Sequence, residues 1–456
     1  MKRKTLRLFS AVLASCCVLT AGCAAVPAAP AAQSAPAAEE APAEEPAAEE
    51  EAPAEESAEA SVEGAEEAEA GTEAAAEAIE AEASEEAAAE TGTEAAEEPE
   101  EASEEAASAG GNEMRDLTPA ELIAEMNTGW NLGNSLDAYD GTGLDTETSW
   151  GNPATTKEMI DTISGRGFNV IRIPVTWGPH MGAAPDYTVD EEWMNRVQEV
   201  VDYAIDDGMF VILDSHHEEA WRILDDAHIE AVSAQHIALW TQIAERFKDY
   251  GDHLIFDGLN EPRVKDGPNE WNGGTSEGRA CLTRLNQEFV DTVRATGGNN
   301  EKRLLLITSF ASSAVIQTIG SLKIPEDDHI AVSIHAYTPY GFTYKVDADW
   351  ALSEWDGSHN YEIDKVISDL KRIFLDKGIP VLITEYGAQN KDGNDEDVAR
   401  WVTHYLEEAK ENGIVCVWWD NGCYTDGNEQ FAIFNRHDCT WYSEPVVDAI
   451  MAVYGK

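Results

Sequence analysis

Eight apolar runs, each followed by polar or aromatic residues, recur at regular intervals after Met114. Amphipathic segments with helical spacing separate them, such as one that is capped at Thr188 and continues to Ile205, and another from Tyr361 to Leu375. Strands that are apolar throughout and alternate with helices are typical of a parallel sheet covered on both faces. The runs are Gly129 to Leu136, Asn169 to Trp177, Met209 to His217, His253 to Glu261, Arg303 to Phe310, Ile330 to Tyr337, Ile379 to Gly387 and Ile414 to Gly422.

Eight such units over about 340 residues fit a closed (β/α)8 TIM barrel in the α/β class. The capping box Thr118 to Glu121 predicts a short helix before the first strand, and Glu444 to Tyr454 predicts a last one. A doubly wound open sheet is the alternative, but Gly129 to Gly133 lacks the glycine spacing of a dinucleotide-binding loop. In a barrel, the active site lies at the carboxyl ends of the strands. The residues that end each run are therefore candidate site residues.

Two of the runs end in a glutamate. The fourth run ends in Asn260, Glu261 and Pro262, and the seventh ends in Glu385 followed by Tyr386. A half-buried carboxyl group at a strand end, beside a side-chain amide, has a raised pKa that suits it to donate a proton near neutral pH. Two such groups at one end of a barrel indicate paired-carboxylate chemistry.

The residues at the strand ends, in their order along the chain, resemble those of glycoside hydrolase family 5 (cellulase family A). Segments Gly129 to Asn134, Trp150 to Pro153 and Trp418 to Gly422 resemble its subfamily 4. The resemblance covers the predicted catalytic barrel, residues 113 to 456. It implies a retaining endo-β-1,4-glucanase or xyloglucanase that works without a metal or a cofactor. The matching residues are Arg172, His216, Asn260, Glu261, His335, Tyr337, Glu385 and Trp419.

The resemblance also implies a role for each polar residue. Glu261 would protonate the leaving glycosidic oxygen and later deprotonate water, while Glu385 would attack the anomeric carbon. Arg172 and Tyr337 would hold the pKa of Glu385 down by charge and hydrogen bonding. Asn260 matches the residue that binds the 2-hydroxyl of the sugar.

Aromatic and histidine positions complete the implied site. His216 and His335 match histidines that bind hydroxyl groups and fix the region of the acid/base. Trp419 matches the platform under the reacting sugar, and the resemblance adds a non-proline cis peptide after it. Trp418 is the alternative platform, and a place in the core is the alternative for Trp419.

Two further residues are expected to contact substrate. His217 is one, with a place behind the residues that touch the sugar as its alternative, and Asn134 is the other, with packing at the barrel mouth as its alternative. A metal site at His217 is not expected, because the segment from His217 to Trp221 supplies no second histidine at helical spacing. The acidic stretch 392–397 lacks the spacing of a calcium loop and is read as a solvated turn.

The first 22 residues have the layout of a secretory signal peptide. Four basic residues within the first seven positions precede an apolar core from Leu8 to Leu19, which is too short to span a bilayer permanently. Thr20 to Cys23 resembles the bacterial lipobox, so we expect an exported, cell-surface lipoprotein that is anchored through lipid at Cys23. Lipidation at Cys16 is one alternative, and a plain cleaved signal is another.

An acidic linker is predicted from 23 to 112. Residues 24–113 contain 29 glutamates and no lysine, arginine or aspartate. Such a segment cannot bury enough apolar surface to fold, so a disordered spacer is favoured over an acidic interaction tail. With a formal charge of −58, the chain is not expected to bind nucleic acid. The expected partner is a β-glucan, and we expect a monomer.

The sequence leaves open the substrate and one cysteine pairing. The same chemistry on mannan or xylan is one rival reading, and a barrel that binds glucan without cutting it is another, although a pure binding module needs no glutamate pair. Cys423 and Cys439 flank a loop and can pair after export. Retention predicts carboxyl groups about 5 to 5.5 Å apart at Glu261 and Glu385. The indoles expected to line an open groove are Trp150, Trp177, Trp221, Trp271, Trp350 and Trp355.

Overall fold

Eight parallel strands close into a barrel, which confirms the predicted (β/α)8 fold. The computed structural model describes residues 113–425 and 429–456, so the predicted signal peptide, Cys23 and the linker lie outside the described residues. Neighbours in sequence are neighbours in the sheet, and β8 pairs with β1. The strands are β1 Thr128–Leu132, β2 Val170–Ile173, β3 Phe210–Asp214, β4 Leu254–Asp257, β5 Leu305–Ser313, β6 Ile330–His335, β7 Val381–Tyr386 and β8 Val415–Asp420.

Helices cover the outside of the barrel. The predicted capping box at Thr118 is present, with reciprocal hydrogen bonds to Glu121. The predicted cap at Thr188 is wrong, because α3 begins at Glu191 and Asp190 accepts the N-terminal amides instead. The helices are α1 Pro119–Ile123, α2 Lys157–Arg166, α3 Glu191–Asp206, α4 Ile229–Arg246, α5 Ser276–Ala295, α6 Ile316–Ile319, α7 Tyr340–Thr343, α8 Asn360–Ile373, α9 Asp395–Glu411 and α10 Glu444–Val453.

Alternation along the strands separates two apolar layers. One set of side chains fills the barrel, whose amino-terminal end is closed by α1, and the opposite set packs against the helices. Because this alternation continues to the carboxyl ends, interior positions there carry the polar side chains of the site. The interior apolar residues are Leu122, Ile123, Met126, Val170, Phe210, Ile212, Ile255, Leu304, Leu306, Ala331, Leu382, Val415 and Val417.

An irregularity in β7 changes which side chains face the interior. The register with β6 shifts between Ile334 and His335, so that Ile334 pairs with Ile383 and His335 pairs with Glu385. Ile383 and Tyr386 both belong to the outer layer, which leaves Thr384 and Glu385 between two outward positions. An extra residue of this kind re-aims a side chain next to many active sites. Here it turns Glu385 toward the barrel axis.

A short antiparallel hairpin follows β8. It pairs β9 Phe434–Asn435 with β10 Thr440–Trp441 and was not predicted. It places Arg436 over the ends of β1 and β8, where the guanidinium donates to the carbonyls of Gly133 and Asp420 at 2.7 and 2.6 Å. The hairpin therefore fixes the rim beside the predicted aromatic platform.

The described residues include two of the cysteines at issue and the helices that could be tested for a membrane span. Cys439 is a free thiol, so the open pairing with Cys423 is not made in the described residues. Cys416 is buried in β8, and burial raises the pKa of its thiol. Of the helices within 113–425 and 429–456, none is long and apolar enough to cross a membrane.

Candidate active site

A fully buried guanidinium lies under the carboxyl ends of the strands. Arg172 of β2 contacts Asp214 of β3 at 2.7 Å, Asp257 of β4 at 3.2 Å and Glu385 of β7 at 2.7 Å. It also donates to the Oδ1 of Asn260 at 2.8 Å. Arg172 thus contacts side chains from three other strands and from the loop after β4, and it orients both Glu385 and the amide beside Glu261.

The two predicted glutamates meet across His335. The Nδ1 of His335 lies 3.0 Å from Oε1 of Glu261 and 3.4 Å from Oε2 of Glu385. One carboxylate oxygen from each glutamate and one ring nitrogen of His335 all lie within 4.8 Å of one another. Tyr337 donates its hydroxyl to Oε2 of Glu385 at 2.9 Å. The nearest oxygens of the two carboxyl groups are thus close together, whereas carboxyl groups about 6.5 to 9.5 Å apart leave room for an attacking water between them.

Burial is the largest influence on the pKa of Glu385. It raises that pKa above its usual range, while the charge of Arg172 and the hydrogen bond from Tyr337 lower it without reversing the shift. Arg172 and Tyr337 therefore lower the pKa of Glu385 as expected, but burial outweighs them and the net shift is upward. The physical reason is that the free-energy cost of desolvating a nearly buried carboxylate exceeds the electrostatic stabilisation that it gains from one shared cation.

Glu261 occupies a different electrostatic setting. Burial raises its pKa, and the positive charge of Arg263 is the largest influence that lowers it. Arg263 lies 3.4 Å from Glu261, but it also contacts Glu219 at 3.1 Å and Glu270 at 3.0 Å. One guanidinium is thus divided among three carboxylates, and this weakens its stabilisation of the ionised form of Glu261.

The neighbouring histidines have opposite protonation tendencies. Burial lowers the pKa of His216 well below its usual value, so the ring is neutral, and its Nδ1 lies 2.7 Å from Asp214. Burial also acts to lower the pKa of His217, but the carboxylates of Glu219 and Asp137 outweigh it and raise that pKa. The same interactions bring the pKa of Glu219 to about 2, against the effect of burial.

Trp419, rather than Trp418, faces the site. Trp418 is 1% exposed and donates its indole N–H to the carbonyl of Phe431, within the outer layer. The Trp419 ring lies parallel to the His216 ring at 5.7 Å between centroids. The predicted cis peptide after Trp419 is wrong, since the cis bonds of the described residues precede Pro185 and Pro339. Strand β8 continues through this bond in regular register with β1, and that pairing orients the indole.

Other predicted contacts lie away from the catalytic cluster. The hydrogen bonds of Asn134 join its backbone to Asp137 and Asn152, so the residue shapes the loop after β1. Trp177 and Trp355 are buried, and their predicted place in an open groove is wrong because both pack in the outer layer. Trp150, Trp221, Trp271 and Trp350 are partly or largely exposed.

Four charged residues of the site were missed in the sequence. Asp214 and Asp257 are acids inside otherwise apolar strands, a signal that a buried cation lies opposite them. Burial raises the pKa of Asp257 to about 7. Arg263 directly follows the Asn-Glu-Pro segment, and Glu219 follows the histidine pair. The sequence positions alone do not show that these two side chains form an ion pair, because that depends on the conformation of the loops.

Histidine and carboxylate atoms gather closely enough to hold a cation at three places in the described residues. Two of these groups belong to the site itself, and in one of them Glu385 and Glu261 already contact Arg172 and Arg263. The groups are Asp137 with His216 and His217, Glu261 with His335 and Glu385, and Asp364 with His404 and Glu408.

Comparison with known proteins now identifies the family. The defining pattern of "Cellulase (glycosyl hydrolase family 5)" matches residues 136–425. The chain belongs to glycoside hydrolase family 5. Its endoglucanase relatives include Endoglucanase A of Ruminococcus albus, which is 63% identical over 344 residues that cover 75% of this chain and 94% of the relative. This membership makes the protein a glycoside hydrolase.

Solved structures of the family have the same fold. A xyloglucan-specific endo-β-1,4-glucanase from a metagenomic library, in complex with cellotriose, is 46% identical with a TM-score of 0.71, covering 73% of this chain and 98% of that one. A GH5-4 broad specificity endoglucanase from Ruminococcus champanellensis with bound cellotriose is 43% identical with a TM-score of 0.72, covering 74% and 99%.

Gly133 offers a test of the glycosidase platform. A Cβ added there would lie 2.7 Å from the Trp419 ring and 2.9 Å from the carbonyl oxygen of Asp420. Gly133→Ala should therefore displace the indole and lower kcat/KM on soluble β-glucan roughly ten- to hundredfold, while the barrel stays folded. Steady-state kinetics and thermal unfolding measure the two effects.

The matched control is Gly165→Ala. Gly165 lies in α2 with open space around it, so the added methyl group should leave kcat/KM unchanged. Equal activity in both variants would show that Trp419 does not depend on the space at Gly133.

Proposed function

We propose that this glycoside hydrolase of family 5 is a retaining endo-β-1,4-glucanase that cuts internal bonds of β-glucans such as xyloglucan, mixed-linkage glucan and soluble cellulose. The observation that carries the proposal is the pair of glutamate oxygens within 4.8 Å, each with its own arginine. That spacing favours direct attack by one carboxylate on the anomeric carbon. The endoglucanase relatives support the same activity.

The contacts assign the two roles. Glu385 accepts one hydrogen bond from Arg172 at 2.7 Å and another from Tyr337 at 2.9 Å, both to its carboxylate oxygens. The cation beside Glu261 is Arg263, at a longer distance and shared with two other carboxylates, and the other close group is the uncharged ring of His335 at 3.0 Å. When the pair shares one proton, the negative charge therefore resides on Glu385 and the proton on Glu261. Glu385 is then the nucleophile and Glu261 the acid.

The reaction proceeds by two displacements at the anomeric carbon. Glu385 forms a bond to that carbon while Glu261 gives its proton to the departing glycosidic oxygen. Glu261, now ionised, next takes a proton from water, whose oxygen attacks the same carbon and releases Glu385. Burial lowers the pKa of His335 to about 4, so the ring between the two acids is neutral throughout.

Asn260 and Trp419 act on the sugar in this proposal. The Asn260 oxygen is occupied by Arg172, which leaves the amide N–H2 to donate to the 2-hydroxyl as positive charge develops on the ring. Trp419 provides the apolar face beneath the sugar, and the neutral His216 beside it offers a polar edge. His217 lies next to Trp150, at 5.5 Å between ring centroids, where the next sugar is bound.

Internal cleavage follows from the position of the exposed aromatic residues. Trp150 lies on the loop after β1, Trp271 on the loop after β4 and Trp350 on the loop after β6. Binding surfaces on several sides of the catalytic pair suit a chain that passes through the site. The xyloglucan-specific neighbour supports xyloglucan as a substrate, and the broad specificity neighbour supports action on more than one β-glucan.

The cellular location is part of the proposal. An N-terminal lipid at Cys23 would tether the enzyme to the outer face of the cell, and the acidic spacer would let the barrel reach β-glucan chains outside the cell. A single enzyme domain at the end of a tether needs no partner subunit, so we propose a monomer.

The first prediction for this function separates the two glutamates. Glu385→Ala should lose nearly all turnover on every substrate, because no nucleophile remains. Glu261→Ala should retain activity on aryl glycosides, whose good leaving groups need little protonation, and azide should restore its rate further. Initial rates on an aryl cellobioside and on a β-glucan measure the difference; similar behaviour on both substrates would show that the roles are wrongly assigned.

The second prediction concerns pH. The basic limb of kcat/KM reports ionisation of the acid, and Arg263 lowers the pKa of Glu261 whereas Glu219 raises it. Arg263→Gln should therefore move this limb to higher pH, and Glu219→Gln should move it to lower pH. Arg284→Gln, which removes an equal charge from the outer helix α5, is the control and should not move it. Shifts of the same sign in the first two variants would contradict the assignment of Glu261.

The third prediction is the pattern of hydrolysis. Viscosity of xyloglucan and of carboxymethyl cellulose should fall early, with few new reducing ends, and NMR should show the β-anomer as the first product. Release of single sugars from chain ends, an α-anomer, or activity confined to mannan or xylan would overturn the proposed function. Crystalline cellulose should be cut poorly.

The fourth prediction tests the tether. Cys23→Ala should release the enzyme from the membrane fraction with unchanged specific activity, because the lipid and the barrel are separated by the spacer. Continued association with membranes would favour Cys16 or another anchor.

A further inference from the structure

We propose that Tyr340 and Trp350, on the segment after β6, form a glucan-binding platform beyond the catalytic centre, which binds the apolar faces of a β-1,4-glucan chain that is already held in the cleft. We call this pair the outer platform. The inference rests on the proposed function, since its occupant is the far part of the same substrate chain.

An unbroken row of aromatic rings leads from the nucleophile to the outer platform. Tyr337, which donates to Glu385, lies 5.7 Å from Tyr344 between ring centroids. Tyr344 stacks on Tyr340 at 5.3 Å with 10° between the ring planes. Tyr340 lies 6.3 Å from Trp350. The outer platform is therefore continuous with the catalytic centre through ring contacts alone.

The two rings of the outer platform are open to solvent. Tyr340 is 52% exposed and Trp350 is 57% exposed. Trp355, on the same segment, is instead buried against Phe342 at 4.9 Å between centroids. The segment thus has an indole that anchors it in the core and a second one that faces outward. Large aromatic rings that are adjacent and exposed to solvent are typical of a binding surface.

The segment that carries the outer platform is held in place by polar contacts. Lys391 donates its ammonium group to the carbonyls of Gly341 and Leu352 at 2.9 and 2.8 Å, and the amide of Leu352 donates to the carbonyl of Gly341 at 2.8 Å. Tyr344 donates its hydroxyl to the carboxylate of Glu429. Because these contacts fix the rings before binding, little conformational entropy is lost when a sugar stacks on them.

Close packing at Gly341 sets the position of Trp350. A Cβ at Gly341 would lie 3.2 Å from the Trp350 carbonyl oxygen and 3.4 Å from the indole ring. The indole therefore lies close to the backbone of α7, and more than half of the residue remains open to solvent. A flat apolar ring that is open to solvent matches the CH-rich face of a pyranose and fits neither an ion nor a nucleotide phosphate.

The decisive experiment compares substrates of different length. Trp350→Ala and Tyr340→Ala, alone and combined, should lower kcat/KM for cellohexaose and longer xyloglucan fragments about three- to tenfold, the expected cost of losing one aromatic stacking contact. The value for an aryl β-cellobioside should stay unchanged, because that substrate occupies only the catalytic centre. Tyr361→Ala is the matched control, as Tyr361 is an equally exposed aromatic residue on α8.

Binding without turnover provides the second measurement. In a Glu385→Ala background, calorimetry with cellohexaose should show weaker affinity when Trp350 is also replaced by alanine. An equal loss of rate on short and long substrates would show a structural role and overturn the platform, and so would no loss on either. If the wild-type enzyme cuts none of these glucans while the Glu385→Ala protein still binds cellohexaose through Trp350, the proposed function fails and the platform stands.

Discussion

The buried ion cluster around Arg172 is the interaction on which the active site depends. A guanidinium with no exposure costs several kcal/mol to desolvate, and the cost is offset only by carboxylates placed at bonding distance. Asp214, Asp257 and Glu385 supply them from three different strands. Burial raises the pKa of Asp257 to about 7, so near neutral pH that group is partly protonated and the cation is not surrounded by three full negative charges. The cluster can therefore leave charge on Glu385, where the chemistry needs it.

Glu385 and Glu261 have different electrostatic surroundings because the arginine beside each one makes different additional contacts. Arg172 is fixed inside the barrel by strands, whereas Arg263 lies on a loop beside Glu219, Glu270 and the ring of Trp271, whose centroid is 4.5 Å from the guanidinium carbon. In the proposed mechanism, a rigid cation with close hydrogen bonds favours an ionised nucleophile, and a shared cation at longer range leaves the acid protonated. The same residue type thus performs two roles that are set by its position on a strand or a loop.

The sequence predicted the barrel and most of the candidate site because both follow from periodicity. Continuous apolar runs between helical segments allow few other folds, and each run marks its own carboxyl end, where Arg172, His335 and Trp419 lie. Alternation also separates Trp419 from Trp418, once the inward positions of β8 are known. The inward turn of Glu385 could not be predicted, since it depends on the register shift of β7 against β6, which no local pattern reveals. For the same reason the sequence could not foresee that burial would dominate the pKa of Glu385.

The tryptophans in the sequence predicted the lining of the groove poorly, for a physical reason. An indole packs equally well between a helix and a strand or against a sugar, so composition cannot distinguish Trp177 and Trp355, which are buried, from Trp350, which is exposed. The distinction matters for catalysis, because contacts far from the cleaved bond can stabilise a distorted sugar at the reacting centre only when they are rigid. In the proposed binding mode, the core indoles provide that rigidity, and the exposed ones make the contact. In this enzyme the barrel therefore positions the charges, while the loops determine how much of a long glucan chain contributes to the reaction.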